Sequence, residues 1–378
     1  MQIVNYAAWI PAENAALEVA TAPFPQIGAD EVIIKNRAVA VNPVDWKIQS
    51  WGGFGIKYPA ILGEDVAGEV VEVGKDVKKL FKRGDRVIAH ALSLGKGSAY
   101  AGFQLYPRLK AATVAMIPDD LEFKHAVVLP LSISTAASGL YLKDTLNLEY
   151  PQLQKNGHGH VGLSSSTSTS PPTSPPSAER GSWTMVDVDV DVDKPKPIIL
   201  LWGGSSSVGS SVIQLAVASG YDVVTTASPA NYSYVKSLGA VLVLDYHNPD
   251  IVPILASLLK GRSVVGAYDA IGSVTTVGQC AAVLHALDGG TVASVGAAPD
   301  ELPPNVKVSR ISGERIVSTE DGIVAKKVWH EYVSAALQER SLKPAPEELV
   351  VGNGLYYVQG GLDRQKQGVS ARKVVVTL

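Results

Sequence analysis

The residues with the clearest chemical use are Leu200-Leu201-Trp202-Gly203-Gly204-Ser205-Ser206-Ser207-Val208-Gly209. An apolar run ends in them, and a helical pattern follows with Val208, Val212, Leu215, Ala216 and Ser219 on one face. A glycine-rich turn between a strand and a helix is where a dinucleotide pyrophosphate is held. Backbone N–H groups and the positive end of the helix face the anion, and small residues let the backbone come close. Against the G-x-G-x-x-G pattern the chain offers Gly204, Ser206 and Gly209. Ser206 replaces the middle glycine and brings a hydroxyl able to donate to a phosphate oxygen. Ser205, Ser207 and Val208 complete the expected cofactor contacts of the turn. A plain strand–helix connection has a similar composition; the surrounding alternation of strands and helices favours the binding turn.

The next apolar segment selects among dinucleotides. An NAD site usually carries Asp or Glu about 20 residues after the turn, against the ribose hydroxyls. Here the segment ends Val224-Thr225-Thr226-Ala227-Ser228-Pro229-Ala230-Asn231, with no carboxylate to repel a 2′-phosphate. Ser228 and Asn231 can donate to that phosphate, and Lys236 follows about a helical turn later. The pattern therefore predicts NADPH as the cofactor. Ser228 and Asn231 are also ordinary helix-capping residues, and the two uses can coexist.

Two kinds of element must position these groups. Residues 1–133 carry short apolar runs between turn signals, such as EVIIKNRAVAV (31–41), VAGEVVEV (66–73) and DRVIAHA (85–91), the spacing of an irregular β-barrel or sandwich. From 134 to 318, strands alternate with helix-length stretches: IILLWGG, SVGSSVIQLAVASG, DVVTTAS, VLVLDY, GAYDAIG and TVASVGA. That alternation means a parallel sheet with crossover helices, an α/β fold. Ser294, Val295 and Gly296 would end one strand at the carboxyl edge, where ligands of open α/β sheets sit. Residues 151–196, with SSSTSTSPPTSPPS and VDVDVDVD, fit neither pattern and read as a solvated insertion. Residues 319–378 return to a helical pattern and a terminal strand, KVVVTL.

Composition narrows the class. Hydrophobic residues make up 46% and charged residues 18%, enough to build real cores. A net charge of −3 gives no general attraction to nucleic acid or an anionic membrane. The sequence shows no membrane-spanning run and no signal-peptide pattern, so a cytoplasmic protein is expected. The single cysteine, Cys280, can form neither an internal disulfide nor a multi-thiolate zinc site. It sits in VGQCAAVLHAL, where a buried small hydrophobe is expected.

With these motifs in place, the chain resembles the medium-chain dehydrogenases/reductases of the quinone oxidoreductase-like branch. AVAVNPVDWK (38–47), GEDVAGEVVEVG (63–74) and FKRGDRV (81–87) resemble the GroES-like catalytic domain of that superfamily. WGGSSSVGS, TTASPAN and LDYHNP are most similar to the fungal trans-acting enoyl reductases. The resemblance implies a GroES-like β-barrel domain (1–133 and 319–378) and a Rossmann domain (134–318) interrupted by 151–196. Zinc-dependent members place Cys where this chain reads Asn42-Pro43-Val44-Asp45 and His where it reads Gly63-Glu64-Asp65, so no metal is expected. Asp45 and Asp65 are expected to serve turns and helix caps.

A metal-free NADPH site suits conjugate reduction. A hydride attacks the β-carbon of an activated alkene, charge gathers on the carbonyl oxygen, and the α-carbon is then protonated. Oriented donors suffice to stabilise that oxygen. By resemblance, Val44, Asp45, Trp46 and Lys47 lie beside the nicotinamide. Lys47 polarises the carbonyl or touches the cofactor; an exposed lysine on a short helix is the alternative. Leu131, Ser132, Ser134 and Thr135 resemble the substrate-cleft segment, with Thr135 a second catalytic candidate; their hydroxyls serve equally well as caps. Tyr246, Val369 and Ser370 resemble cofactor contacts. Phe54 stands where mitochondrial-type enoyl reductases carry a tyrosine proton donor, with Tyr58 nearby. His90 and His125 look isolated, with core or surface roles. The expected substrate is a free or carrier-bound enoyl thioester, with a polyketide synthase as partner and a monomer or homodimer as the assembly. A quinone or enone reductase and a non-catalytic NADP-binding protein remain the competing readings.

Overall fold

The computed structural model describes residues 3–53, 55–153, 195–318 and 322–378. Phe54 and the Ser/Thr/Pro and Val-Asp tracts of 154–194 lie outside the described residues. The chain stays packed three residues into the segment set apart by composition. Pro151 is buried, the Gln152 N–H donates to the Ala218 carbonyl (3.0 Å), and Leu153 packs on the core.

Strands Glu31–Ala40, Asp65–Val73 and Arg86–His90 are the apolar runs of the first part, and they pair antiparallel in sequence. They belong to a seven-stranded sheet that also takes Glu347–Asn353 and Arg372–Thr377 from the far end of the chain. Val375 lies opposite Ala40 and Thr377 opposite Ala38, so the terminal strand closes onto the N-terminal lobe. A smaller sheet is made of Glu18–Ala22, Asn5–Ile10 and Ala60–Ile61, and its Ala8, Ile10 and Ile61 share a core with Val32, Ile34 and Val66 of the larger one. Helix α1 (Pro43–Trp51) follows Glu31–Ala40 directly, with proline at its first turn, where a missing N–H costs nothing.

The second lobe is a six-stranded parallel sheet: β1 (Ile198–Trp202), β2 (Asp222–Ala227), β3 (Leu242–Asp245), β4 (Val264–Asp269), β5 (Gly290–Ser294) and β6 (Val306–Arg310). Their order is β3-β2-β1-β4-β5-β6, all pairs parallel. This is the doubly wound Rossmann order, and the sequence direction reverses between β1 and β4, where such sheets open a crevice for ligand. β1 is buried on both faces, which is why it reads as an unbroken apolar run. Helices α2 (Pro130–Tyr141) and α3 (Ser207–Ala218) pack together through small residues, with Ser132 Oγ and Ser211 Oγ 2.8 Å apart.

The helical pattern of the last stretch forms as Ile323–Ala325, wide π-helical turns over Lys326–Val333, and Ser334–Gln338. Its Trp329 is fully buried and donates from Nε1 to Ser134 Oγ (3.1 Å), fastening this helix to α2. No helix among the described residues is long and apolar enough to cross a membrane.

Candidate active site

The glycine turn is built by close backbone approach. Gly203 has φ +84°, and the Ser206 N–H donates to its carbonyl (3.1 Å). The Gly204 N–H donates to the Thr226 carbonyl (2.9 Å), which pins the turn to the end of β2. A Cβ at Gly209 would lie 2.2 Å from the Gly203 carbonyl oxygen and 2.9 Å from Gly204 Cα. Both are backbone atoms, so the helix can start this close to β1 only with glycine there. Ser206 is the N-cap of α3 and accepts from the Gly209 N–H (3.0 Å). The Ser207 hydroxyl is buried with no partner.

The turn faces a cleft of about 120 Å³ lined by Ser205, Ser206 and Ser207 on one side and Val41, Pro43, Val369, Arg372 and Lys373 on the other. Beside it, Asn231 Nδ2 donates to Ser228 Oγ (3.1 Å) and to Ser370 Oγ (3.0 Å). Ser228 and Asn231, selected together in the sequence, thus meet Ser370, selected separately, across 139 positions of chain. An orphaned hydroxyl and a backbone cradle that a Cβ would fill suit a phosphate-bearing cofactor. Lys236 is exposed in the last turn of the helix Tyr232–Ser237. Tyr246 is also exposed, just past β3, with its ring 4.0 Å from that of His247.

In α1, Lys47 is exposed and its Nζ lies 5.9 Å from the Trp46 ring, which itself meets Trp51 edge-on. Val44 and Trp46 are half-buried against the barrel core. Asp45 does not reach the cleft. It is buried, and its Oδ2 accepts from the Asn42 N–H (2.7 Å), the capping role. Burial pushes its carboxyl well above the usual carboxylate range.

Three of the serine hydroxyls expected to face substrate have protein partners. Ser132 donates to the Leu129 carbonyl (2.7 Å), and Ser134 accepts from Trp329. Ser294 donates to Asp269 (3.0 Å) and accepts from the Gly296 N–H (3.0 Å). All three are buried, because α2 and β5 are surrounded by other elements at these positions. The Thr135 carbonyl accepts from Tyr268 (2.8 Å). Leu131, Val295 and Gly296 are half-buried. The Tyr58 hydroxyl is buried without a partner, its pKa raised by burial and by Glu13.

Behind α1 lies a buried polar centre that sequence reading missed. Lys373 Nζ is 2.8 Å from Asp65 Oδ2 and donates to Asn42 Oδ1 (2.5 Å). Asn42 Nδ2 donates to Asp65 Oδ2 (2.7 Å), and the Leu131 N–H donates to Asp65 Oδ1 (2.6 Å). Asp65 therefore caps the first turn of α2. Next to it, Glu64 accepts from Ser93 and meets His90 Nε2 (3.1 Å). His90 is thus core but not isolated. Burial raises the Glu64 carboxyl and lowers the His90 imidazole to about 4. His125 is at the surface, 2.7 Å from Glu348. The available signal for Lys373 was a lysine set against VVV in a strand that must be buried.

An alcohol dehydrogenase GroES-like domain matches residues 28–119, and a zinc-binding dehydrogenase domain matches 207–337. The chain is 39% identical over 380 residues to the trans-enoyl reductase himH of Aspergillus japonicus, covering 100% of this chain and 98% of that one. It belongs to the medium-chain dehydrogenase/reductase superfamily. Among other members of the superfamily, the dehydrogenase azaJ of Aspergillus niger is 37% identical, with 99% of each chain covered. The crystal structure of the CurK enoyl reductase superposes with a TM-score of 0.72 at 18% identity, covering 99% of each chain, and shows the shared fold alone.

Zinc, which the family description implies, does not suit the donors present. Both Asp65 oxygens are taken, one by a lysine ammonium, and Asp45 and Glu64 are committed to Asn42 and Ser93. Among the described residues, no group of three or more His, Cys, Asp or Glu is arranged to hold an ion. Cys280 is buried in the helix Val274–His285.

Proposed function

We propose that this superfamily member is a zinc-independent, NADPH-dependent reductase of the C=C bond of α,β-unsaturated thioesters, free or carrier-bound. The observation that carries the cofactor half is the meeting of Ser228, Asn231 and Ser370 beside the glycine turn, with no carboxylate at the end of β2. The substrate half is supported by the identity to relatives named trans-enoyl reductases. When bound, the cofactor supplies the hydride. The turn and the Ser207 hydroxyl bind its phosphates, and the amide and hydroxyls of the Asn231 cluster bind the 2′-phosphate. Lys47, exposed on α1, is the donor for the carbonyl oxygen that gains charge. A polyketide synthase is the fitting partner for a carrier-bound substrate.

NADPH oxidation followed with crotonyl-N-acetylcysteamine, with 1,4-benzoquinone and without acceptor tests this reading. A thioester-selective rate is expected. Selectivity for the quinone would make the protein a quinone reductase, and saturable NADPH binding without turnover would make it a binding protein.

Lys47→Ser is expected to lower kcat about a hundredfold, the lower end of the loss of one oxyanion donor, with the NADPH Kd within about threefold. Unchanged kcat removes Lys47 from the mechanism.

A further inference from the structure

We infer that the Lys373 ammonium is the fixed internal cation of this active site and the residue that positions α1 against the glycine turn. This rests on the reading that the cleft holds a nicotinamide cofactor. Its side chain is 3% exposed, and a buried charge persists only where its partners are well placed. Its partners lie on separate parts of the chain. Asp65 opens the strand Asp65–Val73, and Asn42 is the residue before α1. Through Asp65 the link extends to the Leu131 N–H in the first turn of α2. One ammonium therefore ties the terminal strand, a barrel strand, α1 and α2 together.

The same residue lines the cleft with Pro43 and Ser205–Ser207. The Asn42 amide is held at both ends, its oxygen by Lys373 and its nitrogen donating to Asp65. That fixes the residue preceding Pro43, and Lys47 stands one helical turn further along the same face. A metal would supply a rigid positive charge in such a centre. Here a side chain supplies it from the terminal strand. Lys373 acts through Asn42 and Asp65 and is a positioning residue. Misplacement by about 1 Å at a reacting pair is enough to slow chemistry severely.

The test uses the full chain carrying Lys373→Met, Lys373→Arg, Asp65→Asn or Asp65→Asn with Lys373→Met. Each is titrated with NADPH, recording Kd and the emission of the bound cofactor. Turnover is then measured from pH 6 to 8 with crotonyl-N-acetylcysteamine and with benzoquinone. K373M is expected to lose at least tenfold in kcat at pH 8, with KM changing less than threefold. The double variant should be at least tenfold slower than D65N, and K373R should recover most of the rate.

A folded K373M with kcat within threefold of wild type across that range overturns the inference. If K373M does not fold, the neutral double variant decides: wild-type kcat overturns the inference, and a kcat at least tenfold below that of D65N supports it. Turnover of benzoquinone alone would sink the thioester reading while leaving this comparison intact. With no turnover at all, an altered bound-NADPH emission in K373M, or in the double variant if K373M does not fold, supports the inference and an unaltered one overturns it.

Discussion

Ser228→Asp is expected to raise the NADPH Kd at least a hundredfold and to leave NADH binding equal or tighter. The substitution puts a carboxylate at the end of β2, where Ser228 Oγ now accepts from Asn231 Nδ2. Two unit charges about 4 Å apart repel by about 4 kcal/mol at an effective dielectric constant near 20, and a hundredfold needs only about 2.7 kcal/mol. The aspartate also competes for the Asn231 amide, removing a donor from the phosphate. Meanwhile its oxygens can accept from the ribose hydroxyls of NADH. Fluorescence titration with both cofactors reads the result. If NADPH still binds as in wild type, the 2′-phosphate does not sit at the Ser228–Asn231–Ser370 cluster, and the NADPH reading loses its structural basis.

Gly209→Val is expected to remove measurable NADPH binding and to lower stability by about 1–3 kcal/mol, the usual cost of overpacking. The new Cβ would meet the Gly203 carbonyl oxygen at 2.2 Å, and no side-chain rotation relieves a clash with backbone. α3 must move away from the turn, and the N–H groups that would face a pyrophosphate move with it. Gly278→Ala is the control. Gly278 lies in the helix Val274–His285, and its Cβ would meet nothing within 4 Å. That substitution should be neutral or stabilising by about 0.5–1 kcal/mol through lost chain entropy. Thermal melts and NADPH titrations of the two variants check both effects. Intact binding in the valine variant would mean that the turn does not hold the phosphates.

The parts of the site legible in the sequence are local. β1, the turn and α3 form one continuous stretch, and strands buried on both faces advertise themselves as apolar runs. The missing acidic residue at the end of β2 could likewise be read by counting along the chain. Side-chain direction was not legible. Resemblance puts Ser132 and Ser134 in a substrate-cleft segment with capping as an equal alternative, and strand order puts Ser294 at the sheet's carboxyl edge; each lies buried against a protein partner. Asp45 carries two expectations, a place beside the cofactor by resemblance and a capping role, and its carboxylate turns inward to cap α1.

By itself, then, the order of residues determined the two kinds of lobe and the glycine-rich turn between β1 and α3. Each depends on groups a few positions apart, whose geometry follows from backbone periodicity. Tertiary structure alone decided that Ser370 meets Asn231 and that Lys373 meets Asp65 and Asn42. These partners lie far apart in the chain and come together only when the terminal strand pairs with Glu31–Ala40. Contacts of that kind are products of sheet closure, and no local pattern encodes which side chains the closing strand will bring.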